Sequence, residues 1–446
     1  MRRAVAPLLA VTVALVLADS AVVTLALPDI LQRLHTSVGQ VAWVLIAFNL
    51  VLGLVAVPTA MGFARVQPRL VGAVGIAVFA GSSAWCALAQ SIDVLIAARC
   101  LQAVGGALAL VGCLELLVAD YGERRGVATW VTAGVVGTAS GPVVGGLLTQ
   151  AFAWQAIFVV QVPFAALAVP AALFVPARPT LPRDRHRPAV RPNLTLALLS
   201  AALTAALFLL VLLLVDGWRQ SPATAALTVS VVPLAALTAR PLARLLRAPA
   251  EVETAVGCFL IAGGLVGLGI PPSADLAWTV APQALVGLGL GLTVDRLTAQ
   301  AMELRLPRVH HAGWTIGARH LGVVVGLAIL TPVFTADLQD AQTPAQEAIT
   351  SLVLDAPLQP QDKIAVAQAL GRELTDQQGR VPDLHRAFAS LDLDPEERPA
   401  AAKLERDLDG QLQRAATRAF RDSFLIGAGL ALVALLTVLA PRRRSS

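Results

Sequence analysis

Lysine is almost missing: Lys363 and Lys403 are the only two among 446 residues, and arginine carries nearly all the positive charge behind the net +5. Charge of either sign is scarce, at 14% of the chain against roughly 25% in a soluble domain. That shortage excludes an ordinary soluble globular protein. Cysteine is limited to Cys86, Cys100, Cys113 and Cys258, all in apolar stretches and none at metal-ligand spacing. Neither a disulfide framework nor a metal site is expected, and the four read as packing residues. His310 and His311 sit in a basic loop, where solvation is expected and no metal spacing arises. No Ser/His/Asp constellation occurs, and the Gly-rich runs lie inside apolar segments rather than after a strand. An enzyme is not expected, and no cofactor is called for.

What the chain has is apolar length: 56% of it is hydrophobic, in runs that reach the ~20 residues a spanning helix needs. The runs predict spans at 5–27, 41–61, 70–90, 93–118, 126–150 and 155–176, then 193–215, 222–243, 254–272, 275–299, 312–335 and 422–440. The expected fold is an all-α membrane protein of twelve helices in two six-helix halves. Arg2 and Arg3 before the first run mimic a signal peptide, but the run continues past Asp19, so an uncleaved helix is expected. Basic segments fall at alternate junctions, which predicts both termini in the cytoplasm of a multi-pass cell-membrane protein. That placement also argues against nucleic acid as the partner of the arginines. The Pro- and Arg-rich residues 177–192 read as a cytoplasmic linker between halves at 1–176 and 193–336. Residues 337–420 are polar and acidic, and are expected outside as a helical insertion before the last helix and basic tail at 421–446. Leu404, Leu408, Leu412, Ala416 and Phe420 keep a spacing of four, which predicts an amphipathic helix running into the last span. A structural cap and a surface for an extracytoplasmic partner both remain open for this insertion.

Ionisable groups inside spans cost several kcal/mol each, with estimates from about 3 to over 10. Asp19 lies about 21 Å up the first span and Arg99 at a similar depth in the fourth. A carboxylate beside an arginine in low dielectric gains or loses a proton with water access. Proton coupling and a permanent helix-locking pair both fit that juxtaposition. Glu115 lies near the inner mouth of the fourth span. Asp295 and Arg319 lie near the cytoplasmic ends of the tenth and eleventh, where a gate pair and a topological anchor both fit. Gly137, Gly141 and Gly145 form one smooth face of the fifth span, with Pro142 set to bend it.

That last run, GTASGPVVGG at 137–146, resembles the GxxxGPxxGG signature of antiporters in the major facilitator superfamily, with Gly146 as its last glycine. DSAVVTLALPDI at 19–30 resembles the first-helix motif of the drug:proton antiporters. LIAARCLQAVGGAL at 95–108 resembles their fourth-helix motif, with Arg99 and Gln102 at its Arg and Gln. Trp154 with Ile157, Phe158 and Pro163 resembles the start of the sixth helix, with Gln161 where Asn is usual. GARHLGVVVGLAIL at 317–330 resembles the eleventh-helix pattern of the fourteen-helix drug exporters, although only twelve helices are expected here. The loop after the second span departs from the family: AMGFARVQPR keeps Arg65 and Arg69 but lacks the clamp aspartate.

The resemblance implies a secondary active transporter working by alternating access, with proton-coupled export of a small amphipathic or hydrophobic compound. The proton gradient is then the energy source. It implies proton coupling at Asp19 and Arg99, and leaves Gln102, Glu115, Asp295 and Arg319 as cavity or gate candidates. The expected partners are a small-molecule substrate and membrane lipids. One Tyr and seven Trp make a poor aromatic pocket, which keeps a lipid or metabolite transporter or facilitator open. A non-transporting membrane protein whose outer region binds a partner is a third reading.

Overall fold

The computed structural model describes residues 2–62, 66–177, 187–302, 308–375, 384–389 and 397–440. Among these every regular element is helical. The first half holds α1 (Arg2–Arg33), α2 (Val38–Gly62), α3 (Pro68–Ala87), α4 (Ile92–Tyr121), α5 (Glu123–Ala151) and α6 (Ala156–Phe174). The second holds α7 (Val190–Gly217), α8 (Pro222–Arg244), α9 (Ala250–Gly269), α10 (Ala277–Met302) and α11 (Arg308–Asp355). After the short α12 (Pro360–Thr375) and α13 (Leu384–Ala389), α14 (Arg398–Leu439) completes it. Twelve of these, all but α12 and α13, contain a segment long and apolar enough to cross a membrane. An even number of crossings returns Leu439 to the face where α1 begins, hereafter the terminal face.

Packing inside the first half follows from the glycine face of α5. A Cβ on Gly145 would stand 2.5 Å from the Val22 carbonyl oxygen, so only glycine lets α1 and α5 approach this closely. Gly137 and Gly141 meet Ala14, Ala18 and Ala21 on the same α1 stripe. Gly146 points elsewhere. It faces Pro222 and Ala226 of α8, in the other half. Beside it Ala223 N–H donates to Gln150 Oε1 at 2.7 Å.

The halves touch near both faces. Away from the termini, Leu25, Leu27 and Ile30 of α1 share one core with Leu210 and Leu213 of α7 and Val229 of α8. Toward the terminal face, α2 runs along α11, with Gly313 against Ala56 and Ala60. Two stretches of α7, Ala205–Leu209 and Leu213–Gly217, are wound as wider π-helical turns. Such turns in an α-helix often mark functional positions.

The eleventh span, expected at 312–335, falls within Arg308–Leu338, but its helix does not stop there. α11 runs unbroken for 48 residues, about 72 Å at 1.5 Å per residue, more than twice a ~30 Å hydrocarbon core. α14 is continuous over 42 residues and runs antiparallel to it. Phe334 meets Phe420 with ring centroids 4.2 Å apart. Residues 337–355 and 398–420 of the insertion are therefore continuations of two spanning helices, and α12 and α13 lie between them. Leu404, Leu408, Leu412, Ala416 and Phe420 are all buried on α14. The first three share a small core with Val353, Leu370 and Phe388.

Candidate functional site

Asp19 on α1 and Arg99 on α4 are both fully buried and in direct contact, Arg99 Nη1 against Asp19 Oδ2. The other carboxylate oxygen, Oδ1, accepts from Gln161 Nε2 at 2.9 Å and Gln102 Nε2 at 3.3 Å. Gln102 lies one turn after Arg99 on α4, so its Oε1 also accepts from Arg99 Nη1 at 2.6 Å. Ser83 on α3 receives Gln102 Nε2 at 2.8 Å and donates toward Gln161 Oε1 at 3.1 Å. The guanidinium carbon stands 4.0 Å from the Phe48 ring centroid, and Nε donates to the Val44 carbonyl of α2 at 3.3 Å. One donor group, Nη2, has no hydrogen-bond partner among the described residues.

Five helices thus converge on one ion pair. Stripping water from each ion costs several kcal/mol, which mutual attraction repays only if the remaining lone pairs are satisfied. Three charge-assisted or amide donors on one carboxylate meet that condition. A proton on Asp19 would cancel its half of the attraction and leave Arg99 buried without a counter-charge.

A second polar link leaves this cluster for the other half. Asn49 on α2 donates from Nδ2 to the Leu45 carbonyl at 2.8 Å, which pins the amide. Its Oδ1 is therefore an acceptor, and His320 of α11, 2.7 Å away, donates from Nδ1. Ser20, next to Asp19, lies 3.3 Å from Asn49 Nδ2. His320 connects the second half to the residue beside the buried carboxylate.

The other candidates scatter. Glu115 is half-buried on α4, and Arg319 is half-buried on α11 beside His320. Asp295 does not pair with Arg319: its partner is Arg240 of α8, at 2.5 Å, because α10 turns that carboxylate toward α8. An ion pair that joins the halves near the terminal face among the described residues is Glu123 with Arg308, at 3.0 Å. Arg69 is exposed and donates to Gln67 Oε1 at 2.8 Å. Arg65 lies outside the described residues. His311 is not in a solvated loop. α11 already begins at Arg308, and the helix turns His311 inward until it is 1% exposed.

Sequence reading missed Ser83, Asn49 and His320 as site residues and met Gln161 only as a departure from a motif. Each is a polar residue in an apolar run, which was the available signal. His320 differed from His310 and His311 in standing inside a span.

A two-halved bundle of twelve crossings with a desolvated carboxylate–guanidinium centre has the build of a secondary transporter. The chain belongs to the Major Facilitator Superfamily, whose family model matches residues 9–331. It is a multi-pass membrane protein. It is similar to a tetracenomycin C resistance and export protein of Streptomyces glaucescens, 36% identical over 169 residues, 37% of this chain and 31% of that one. It is also similar to the multidrug efflux pump LfrA of Mycolicibacterium smegmatis, 35% identical over 35% of this chain and 32% of that protein. The matched segment spans about a third of the length of these curated relatives. A bacterial homolog of the human lysosomal transporter Spinster, solved inward-facing and unoccupied, aligns over 100% of this chain and 99% of its own, with a TM-score of 0.62 and 15% identity. That likeness is one of fold.

Proposed function

We propose that this protein exports a small amphipathic or hydrophobic compound in exchange for protons, with Asp19 as the proton carrier. The observation that carries the reading is the fully buried Asp19–Arg99 pair with Gln102 and Gln161 on its second oxygen. Drug and antibiotic export in the names of its relatives supports the direction of transport. In the cycle, Asp19 takes up a proton while open to the outside, and neutralisation lowers the cost of moving its surroundings through low dielectric. Arg99 sets the proton affinity of Asp19 by its charge. The halves rock, the proton leaves inward, and substrate binds better to the deprotonated state. The termini and the linker face the cytoplasm in this scheme, and the α11–α14 extension lies outside.

The test uses purified protein in liposomes with an imposed proton gradient, following a fluorescent lipophilic compound and internal pH together. Wild type should move dye against protons, and Asp19→Asn should move neither. Dye flux that survives Asp19→Asn with its proton flux intact would remove Asp19 from the mechanism. Deleting residues 345–400 separates transport from partner binding: a transporter keeps part of its flux, and a binding module keeps none of its function.

A further inference from the structure

Away from the Asp19 site, α8 and α9 both pack along α10 and scarcely touch each other. A groove is left between them, floored by α10. Near the terminal face it opens into a cavity of about 320 Å³ lined by Arg240, Arg244, Glu253, Asp295 and Arg296. Both carboxylates are taken: Asp295 by Arg240 at 2.5 Å and Glu253 by Arg296 at 2.8 Å. Arg244 is exposed and has no ion pair among the described residues, so the cavity keeps one uncompensated positive charge. Arg240 and Arg296 leave 58% and 51% of their side chains exposed, so their outer N–H groups are available as well.

The walls change character with depth. On α8, Leu237, Arg240 and Arg244 fall on one stripe, with Leu237 deepest and 58% exposed. On α9, Val256 lies one turn deeper than Glu253 and is 46% exposed. A guanidinium mouth above apolar walls suits an amphiphile with a phosphate head and acyl chains, since arginine binds phosphate oxygens through paired N–H groups. We propose that this groove is a site for one anionic phospholipid, its phosphate at Arg244 and its chains along Leu237 and Val256. A free anion would use the mouth and leave the apolar walls idle. The proposal needs only the membrane-embedded bundle and stands apart from the transport reading.

The test is native mass spectrometry of the full-length protein in detergent, titrated with phosphatidylglycerol or phosphatidylcholine of identical chains. Phosphatidylglycerol should be retained about fivefold better, which corresponds to about 1 kcal/mol for one arginine at a membrane surface. Arg244→Ala should erase that preference. Leu237→Trp should fill the groove and lower phosphatidylglycerol retention with no change of charge, and it decides the matter alone if Arg244→Ala does not fold. Equal retention of the two lipids by wild type, or an unchanged preference in Arg244→Ala, overturns the proposal. Displacement of phosphatidylglycerol by millimolar inorganic phosphate, with Leu237→Trp behaving as wild type, makes it a free-anion site and also overturns it.

Discussion

At Asp19 the energetic weight lies in the partner left behind. Asp19→Asn leaves Arg99 buried beside an amide, and breaking a buried pair by removing one partner costs about 3–5 kcal/mol. Thermal unfolding in detergent should fall accordingly, and the double variant Asp19→Asn with Arg99→Gln should recover part of the loss. If the double variant is no better than the single one, the stranded guanidinium is not the source of that loss. His320→Ala removes one inter-half hydrogen bond, worth about 0.5–1.5 kcal/mol. Asn49→Ala added to it should cost little more, which a double-mutant cycle measures. The charges of this centre were legible in the sequence because an ionisable group in an apolar run demands a partner, and depth along the helices matched Asp19 to Arg99. Ser83 and Gln161 were not, because a neutral polar residue is cheap enough in a span to pass without one. His320 was hidden by a different cause: its contact depends on how α11 is set against α2, and no spacing within either helix encodes that.

Among the helices, α5 presents two glycine surfaces that adjoin in sequence and serve different neighbours. Gly145 lets α1 approach within its own half, whereas Gly146 faces α8 across the boundary. Gly145→Val overpacks a contact inside one half and should cost about 1–3 kcal/mol of stability. Gly146→Val should leave stability nearer to wild type and slow transport, because it props the halves apart where they meet. Unfolding and flux measured on both variants check this, and the same pattern from both would dissolve the distinction. The spans themselves were legible from apolar length alone. The continuation of α11 to Asp355 was not, because its polar residues lack the apolar signal while still favouring helix.

Over the whole molecule, the pairing of Glu123 with Arg308 links the start of α5 in one half to the start of α11 in the other. Glu123 and Arg308 keep 57% and 32% of their side chains exposed, so the pair contributes about 0–1 kcal/mol. That is still enough to shift a two-state balance by up to about fivefold. Glu123→Arg should open the terminal face, and adding Arg308→Glu should close it again, as read from the distance between spin labels on α5 and α11. The candidate from sequence, Asp295 with Arg319, is not the ion pair formed here: Asp295 is held by Arg240 of α8.

The unbroken run of α11 from the bundle into the insertion makes the second half rigid with a mast. Beyond Leu338 that mast extends about 25 Å to Asp355. A tilt of the half by roughly ten degrees would sweep its tip about 4 Å. The position of that tip is thus tied geometrically to the tilt of the spanning segment it continues.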